Sequence, residues 1–220
     1  MMICPETFYE MDLKGKSKEE IMGVICDLKQ EIENLKDVVE NPNYKHREWA
    51  VQPSEKVQIS CNRDYLERAI QAYEEAGGEY TPSDAEQKSM DFDANVPYIE
   101  KVVFSIGGFF GGYKTKTYSI DDDKIHVEVE YSANYNPLAL YNCDPTEISK
   151  EAFFNSLKDL HIGEWREEYD TSRFGVYIMD GTSWDLEIHF SNGHTPVEIH
   201  GSNAYPYNFA HLLDLFEMEI

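Results

Sequence analysis

Between Ser17 and Pro42 the apolar positions are Ile21, Ile25, Leu28, Ile32, Leu35 and Val39, spaced 4, 3, 4, 3, 4, which predicts an amphipathic helix over about 17–41. Ser17 with Glu20 three residues on has the form of a capping box, and Pro42 closes the run. A stripe repeating every three and a half residues is narrow and suits packing against one other helix. That helix is expected over about 62–76, where Leu66, Ala69, Ile70 and Tyr73 share a face before Gly77 and Gly78 stop it. The two are expected to form an antiparallel pair within one chain, and the alternative is a homodimer through residues 21–39. Residues 79–96 are polar and aperiodic and read as a linker, so the chain is expected to divide into a helical segment with its linker (1–95) and a second domain (96–220).

Past Pro97 the period changes to two. Ile99–Ile106 reads as a strand, and Tyr113–Ile120 with Lys124–Tyr131 as a hairpin closed around Asp121, Asp122 and Asp123. Setting Ile120 opposite Lys124 places Lys116 against Glu128 and Lys114 against Glu130 on one face, with Thr115, Thr117, Val127 and Val129 on the other. A helix is predicted over about 149–160, followed by strands near 163–169 and 174–179. Next, Trp184, Leu186, Ile188 and Phe190 alternate with Asp185, Glu187 and His189, and Asn192-Gly193 is the pair preferred in a type I′ turn, so a hairpin returns through Thr195–His200. Asn203 and Pro206 lead into a last helix that buries Phe209, Leu212, Leu213 and Phe216.

These elements define an α+β chain: an N-terminal helical pair, then a mainly antiparallel sheet domain with two helices. The order strand, strand, strand, helix occurs twice, and Phe153, Leu157 and Leu160 echo Phe209, Leu213 and Phe216, which suggests a duplicated βββα unit.

Charge narrows the function classes. There are 42 Asp and Glu against 19 Lys and Arg, a formal charge of -23, which opposes phosphate and anionic membranes and favours basic protein partners. Nucleic acid and membrane are therefore not expected as partners. Cys4, Cys26, Cys61 and Cys143 are isolated from one another, with no C-x-x-C, and read as reduced thiols. Glu6, Glu10 and Asp12 stand where a signal peptide needs an apolar run, so a cytoplasmic protein is expected.

Candidate chemistry is sparse. Gly107, Gly108, Gly111 and Gly112 precede Lys114, but Tyr113 intervenes and a strand follows, so a phosphate loop is excluded. Asp91, Asp93 and Asn95 begin like a calcium loop but lack its Gly and its closing Glu. No metal or cofactor is expected. The predicted last hairpin brings Asp185 opposite His200 and Glu187 opposite Glu198, a set that would serve a metal-dependent or acid/base hydrolase. No nucleophile motif accompanies it, and the preferred reading is a non-enzymatic interaction protein. Its partner-binding candidates are the aromatic residues Phe109 and Phe110 at a glycine-flanked tip, with Tyr135 and Tyr141 in an aromatic loop.

Overall fold

The computed structural model describes residues 2–45, 53–108, 110–121, 124–135, 148–178 and 180–219. The chain parts into two units, 1–82 and 83–220.

In the first unit, α1 (Pro5–Phe8) runs into a wider turn, Tyr9–Leu13, and is followed by α2 (Lys18–Glu40) and α3 (Glu55–Glu75). The expected capping box is present: Ser17 Oγ accepts from the Glu20 N–H, and Glu20 Oε2 accepts from the Ser17 N–H at 2.8 Å. Ile21, Ile25, Ile32 and Leu35 are buried. Ile21 and Ile25, near the start of α2, share a cluster with Ala69 and Ala72 near the end of α3, so the pair is antiparallel. Ile21, Ile25 and Leu28 of the stripe pack in this way within one chain. The second helix begins at Glu55 instead of near Asn62, because the Ser54 hydroxyl caps it by accepting from the Val57 N–H.

The stretch expected as a linker folds as α4 (Asp84–Asn95), whose Ser83–Glu86 capping box fixes its start, and it belongs with the sheet rather than with the helical pair. One buried side chain, Phe92, anchors it to the core below, which is why its periodicity is weak.

The strands are β1 (Ile99–Gly108), β2 (Gly112–Ile120) and β3 (Ile125–Tyr131), then α5 (Lys150–Asp159), β4 (Glu168–Asp170), β5 (Thr182–Phe190), β6 (Val197–Ser202) and α6 (Phe209–Phe216). Among the described residues they form one sheet in the order β3-β2-β1-β5-β6-β4, antiparallel except where β4 runs parallel to β6. This is the expected α+β class. The two three-strand runs are laid differently among the described residues, a meander in the first and a split order with a parallel edge in the second, and this order does not confirm a duplicated βββα unit.

Alternation sets the layers. Val102, Phe104, Ile106, Trp184, Leu186, Ile188 and Ile199 point to one face and are buried beneath α5 and α6 through Phe153, Leu157, Phe209, Leu212 and Phe216. Trp184 is fully enclosed; its Nε1–H donates to the Ala204 carbonyl at 2.9 Å and its ring lies 4.8 Å from that of Phe209.

Four further local expectations are corrected. In the β2–β3 hairpin Ile120 pairs with Ile125, not Lys124, and the Asp121 N–H donates to the Lys124 carbonyl. A slip of one residue turns every side chain over. Lys114 and Lys116 therefore share the core-side face with Val127 and Val129, and Glu128 and Glu130 share the other with Thr115 and Thr117. Residues 163–169 yield only β4, and 174–178 form no strand, since the Asp170 carboxylate accepts from the Ser172 N–H and Gly175, at φ +71°, bends the chain away. Third, β5 and β6 keep the expected register, but only Gly193 has the left-handed φ that a type I′ turn needs at both central positions. Last, Asn203 does not cap α6, which starts at Phe209; its Oδ1 accepts instead from the Thr182 N–H.

Candidate functional site

The face of the sheet turned away from α5 and α6 carries the sequence-predicted carboxylates. Ser105, Asp185, His200 and Glu168 lie in one row across β1, β5, β6 and β4, and Glu187 and Glu198 oppose each other in the next. His200 Nδ1 and Asp185 Oδ1 are 2.6 Å apart, and His189 Nε2 reaches Glu187 at 3.4 Å. The Asp185 carboxylate, with help from Glu198 and Glu168, holds the His200 imidazole above its ordinary value. Glu168, Glu198 and His200 are exposed, and Asp185 and Glu187 are half-buried. All four residues of the candidate hydrolytic set thus meet on one wet face.

Beside that face lies a cleft of about 640 Å³. One wall is α4 with Lys88, Asp91 and Phe92; the other is the 194–200 run; Ile162, Gly163, Trp165, Glu167 and Glu168 complete it. Gly163 is required where it stands, because a Cβ there would press on the main chain of α4 at Ser89. Two bonds hold the β5–β6 loop to α4: His194 Nε2 to Asp91 Oδ2 at 2.8 Å, and the Asn192 amide to Asn95 Oδ1 at 2.7 Å. Lys88 pairs with Glu167 at 3.3 Å. Asp91 and Asn95 thus tie this loop to α4.

Both ring nitrogens of His194 face acceptors. Its Nδ1 faces the Thr195 carbonyl at 2.7 Å and its Nε2 faces the Asp91 carboxylate, and neither partner can donate. The protonated imidazole, which donates from both nitrogens, is the form this arrangement favours. The Asp91 bond, then the Thr195 carbonyl, raise the imidazole above 6.5, with partial burial opposing. Below 6.5 folded and unfolded chains both hold the proton and the latch contributes fully; as pH rises through the raised folded value, the contribution is lost. The melting-temperature advantage of the native chain over His194→Gln is therefore expected at about pH 5.5 and should vanish by about pH 9. An advantage that does not change with pH contradicts the latch.

Among the described residues no three His, Cys, Asp or Glu side chains are placed to hold one metal ion. No family model, curated protein or solved structure matches this chain.

The aromatic candidates are divided. Phe110 is 81% exposed at the β1–β2 tip, while Tyr135 is half-buried with its ring 4.7 Å from that of Tyr131. Phe109 and Tyr141 lie outside the described residues. The glycines at this tip serve close backbone approach: a Cβ at Gly107 would strike the Gly112 carbonyl, and one at Gly112 would strike Tyr135. Sequence reasoning missed Lys88, Asp91, Glu168 and His194 as parts of one cleft. The Ser83-x-x-Glu86 capping box was the signal that α4 existed to present two of them.

Proposed function

We propose that this chain is a non-enzymatic, cytoplasmic protein-interaction module whose second unit receives a basic protein partner on the carboxylate-lined face and its adjoining cleft. The observation that carries this reading is the gathering of Glu168, Asp185, Glu187 and Glu198 on one wet face beside a cleft that also presents Asp91 and Glu167, in a chain of net charge -23. Free cysteines at 4, 26 and 61, and the lack among the described residues of a helix long and apolar enough to cross a membrane, accord with this reading. Phe110 and Tyr135, at the β1–β2 end of the sheet, would serve a partner as apolar anchors.

The order of groups favours binding over hydrolysis. A serine relay needs the imidazole between hydroxyl and carboxylate, but here Asp185 stands between Ser105 and His200, two strand spacings or about 10 Å apart. The short Asp185–His200 bond keeps an acid/base hydrolase as the second reading; turnover abolished by His200→Gln would carry it.

The test of the binding reading is titration of the full chain with a capped pentapeptide alternating lysine and valine. Binding is expected at about 50 mM salt and should weaken several-fold at about 200 mM, with no binding of the glutamate–valine counterpart. Affinity indifferent to salt would overturn it.

A further inference from the structure

We propose that the cleft beside β6 takes its partner as an added β-strand, an extended segment in which basic and apolar residues alternate; this deepens the basic-partner reading and rests on it. The main chain of β6 supplies the first observation. His200 donates its N–H outward to the Glu167 carbonyl at 2.9 Å, where β4 begins to pair. Side and main-chain direction repeat every two residues along a strand, so the N–H and C=O of Glu198 point outward as well. β4 covers β6 only from His200 to Ser202, and among the described residues the outward groups of Glu198 meet no hydrogen-bond partner. They open toward the cleft that Glu198 lines, on the side where β4 would continue.

The two faces of β6 at this point fix the chemistry of the occupant. Val197 and Ile199 turn to the core side, where Phe92, Ile162 and Trp165 also line the cleft, so every second residue of the added strand meets apolar surface. Glu198 turns to the wet side with Glu168 and Glu187 near it, so the residues between meet carboxylates. Lysine or arginine alternating with valine, isoleucine or a similar side chain satisfies both faces. A second copy of β6 does not, because it would set Glu198 against carboxylates. Strand addition of this kind draws affinity from main-chain bonds and specificity from the alternating side chains.

The experiment separates main-chain pairing from charge. Two analogues of the lysine–valine pentapeptide, N-methylated at odd or at even positions, keep its charge and side chains but lose one edge's donors. One analogue is expected to bind the full chain about tenfold more weakly than the parent, and saturating parent peptide should slow exchange of the Glu198 amide hydrogen about tenfold. The Val197 and Ile199 amides, already in the β5 ladder, should change little. Equal affinity of all three peptides with unaltered Glu198 exchange would overturn strand addition and leave the basic-partner reading standing. Absence of binding by any of them would overturn both.

Discussion

Trp184→Ala is expected to destabilise the chain by roughly 3–5 kcal/mol, measured by urea denaturation followed by far-ultraviolet circular dichroism. The indole is fully buried, donates to the Ala204 carbonyl, and contacts the rings of Trp165, Tyr169 and Phe209, so truncation removes transfer free energy, leaves a cavity and orphans a carbonyl. Its partner across the β5–β6 ladder is Gly201, and a Cβ built there would fall inside the indole, against Nε1. Gly201→Ala on its own should cost about 1–3 kcal/mol by overpacking. The informative variant is the pair. In Trp184→Ala the space that the Gly201 methyl needs is vacant, so the double variant should be no less stable than Trp184→Ala, and the coupling energy should offset most of the Gly201→Ala cost. Strict additivity would show that the two residues do not share one packing site.

Removal of Glu217 is the second large effect. Lys116 sits on the core-side face of β2, between Phe104 and Val129, with its side chain only 5% exposed, and its Nζ reaches Glu217 Oε2 at 3.3 Å. Glu217 ends α6 in the left-handed region at φ +48°, so the ion pair ties the last helix to β2. Breaking a buried pair from one side commonly costs about 3–5 kcal/mol because an uncompensated charge stays enclosed. Glu217 is about one-third exposed, and water screens part of that, which brings the expectation for Glu217→Ala to about 2 kcal/mol. Lys116→Met replaces the cation by an apolar chain of similar length and should cost less, and Glu217→Ala added to it should cost little more. Lys116→Met proving as harmful as Glu217→Ala would contradict a charge-pairing role.

The parts of the fold that were legible in the sequence are those where several local signals agree. Along β5 and β6, apolar alternation and the short distance through Asn192 and Gly193 permit one register, so the pairs Asp185–His200 and Glu187–Glu198 follow from counting. The seam of α2 follows in the same way from its spacing and its capping box. The β2–β3 hairpin lacks that redundancy. Three aspartates at the turn do not say whether three or four residues make the corner, and the difference of one sends Lys116 into the interior instead of opposite Glu128. α4 was missed because one apolar contact, Phe92, is enough to seat a helix at the rim of a domain and too little to mark a period.

The candidate site was half legible for a related reason. Asp185, Glu187, Glu198 and His200 lie on a single hairpin and are readable from it, while the cleft gathers Lys88 and Asp91, Trp165 and Glu168, and His194 and Glu198 from three distant segments. No spacing rule reaches across those separations. The outward main chain of Glu198 depends on where a three-residue parallel strand stops, and propensity does not encode that.

The most direct measurement of the central claim is the lysine–valine peptide titration repeated on a full-length Glu168→Lys/Glu198→Lys variant. Both side chains are exposed, so the variant should fold as the native chain does. Peptide binding at low salt should fall by at least about tenfold, since two attractive contacts become repulsive. Binding unchanged by the reversal, with the fold intact, would show that this face and its cleft do not receive a basic partner.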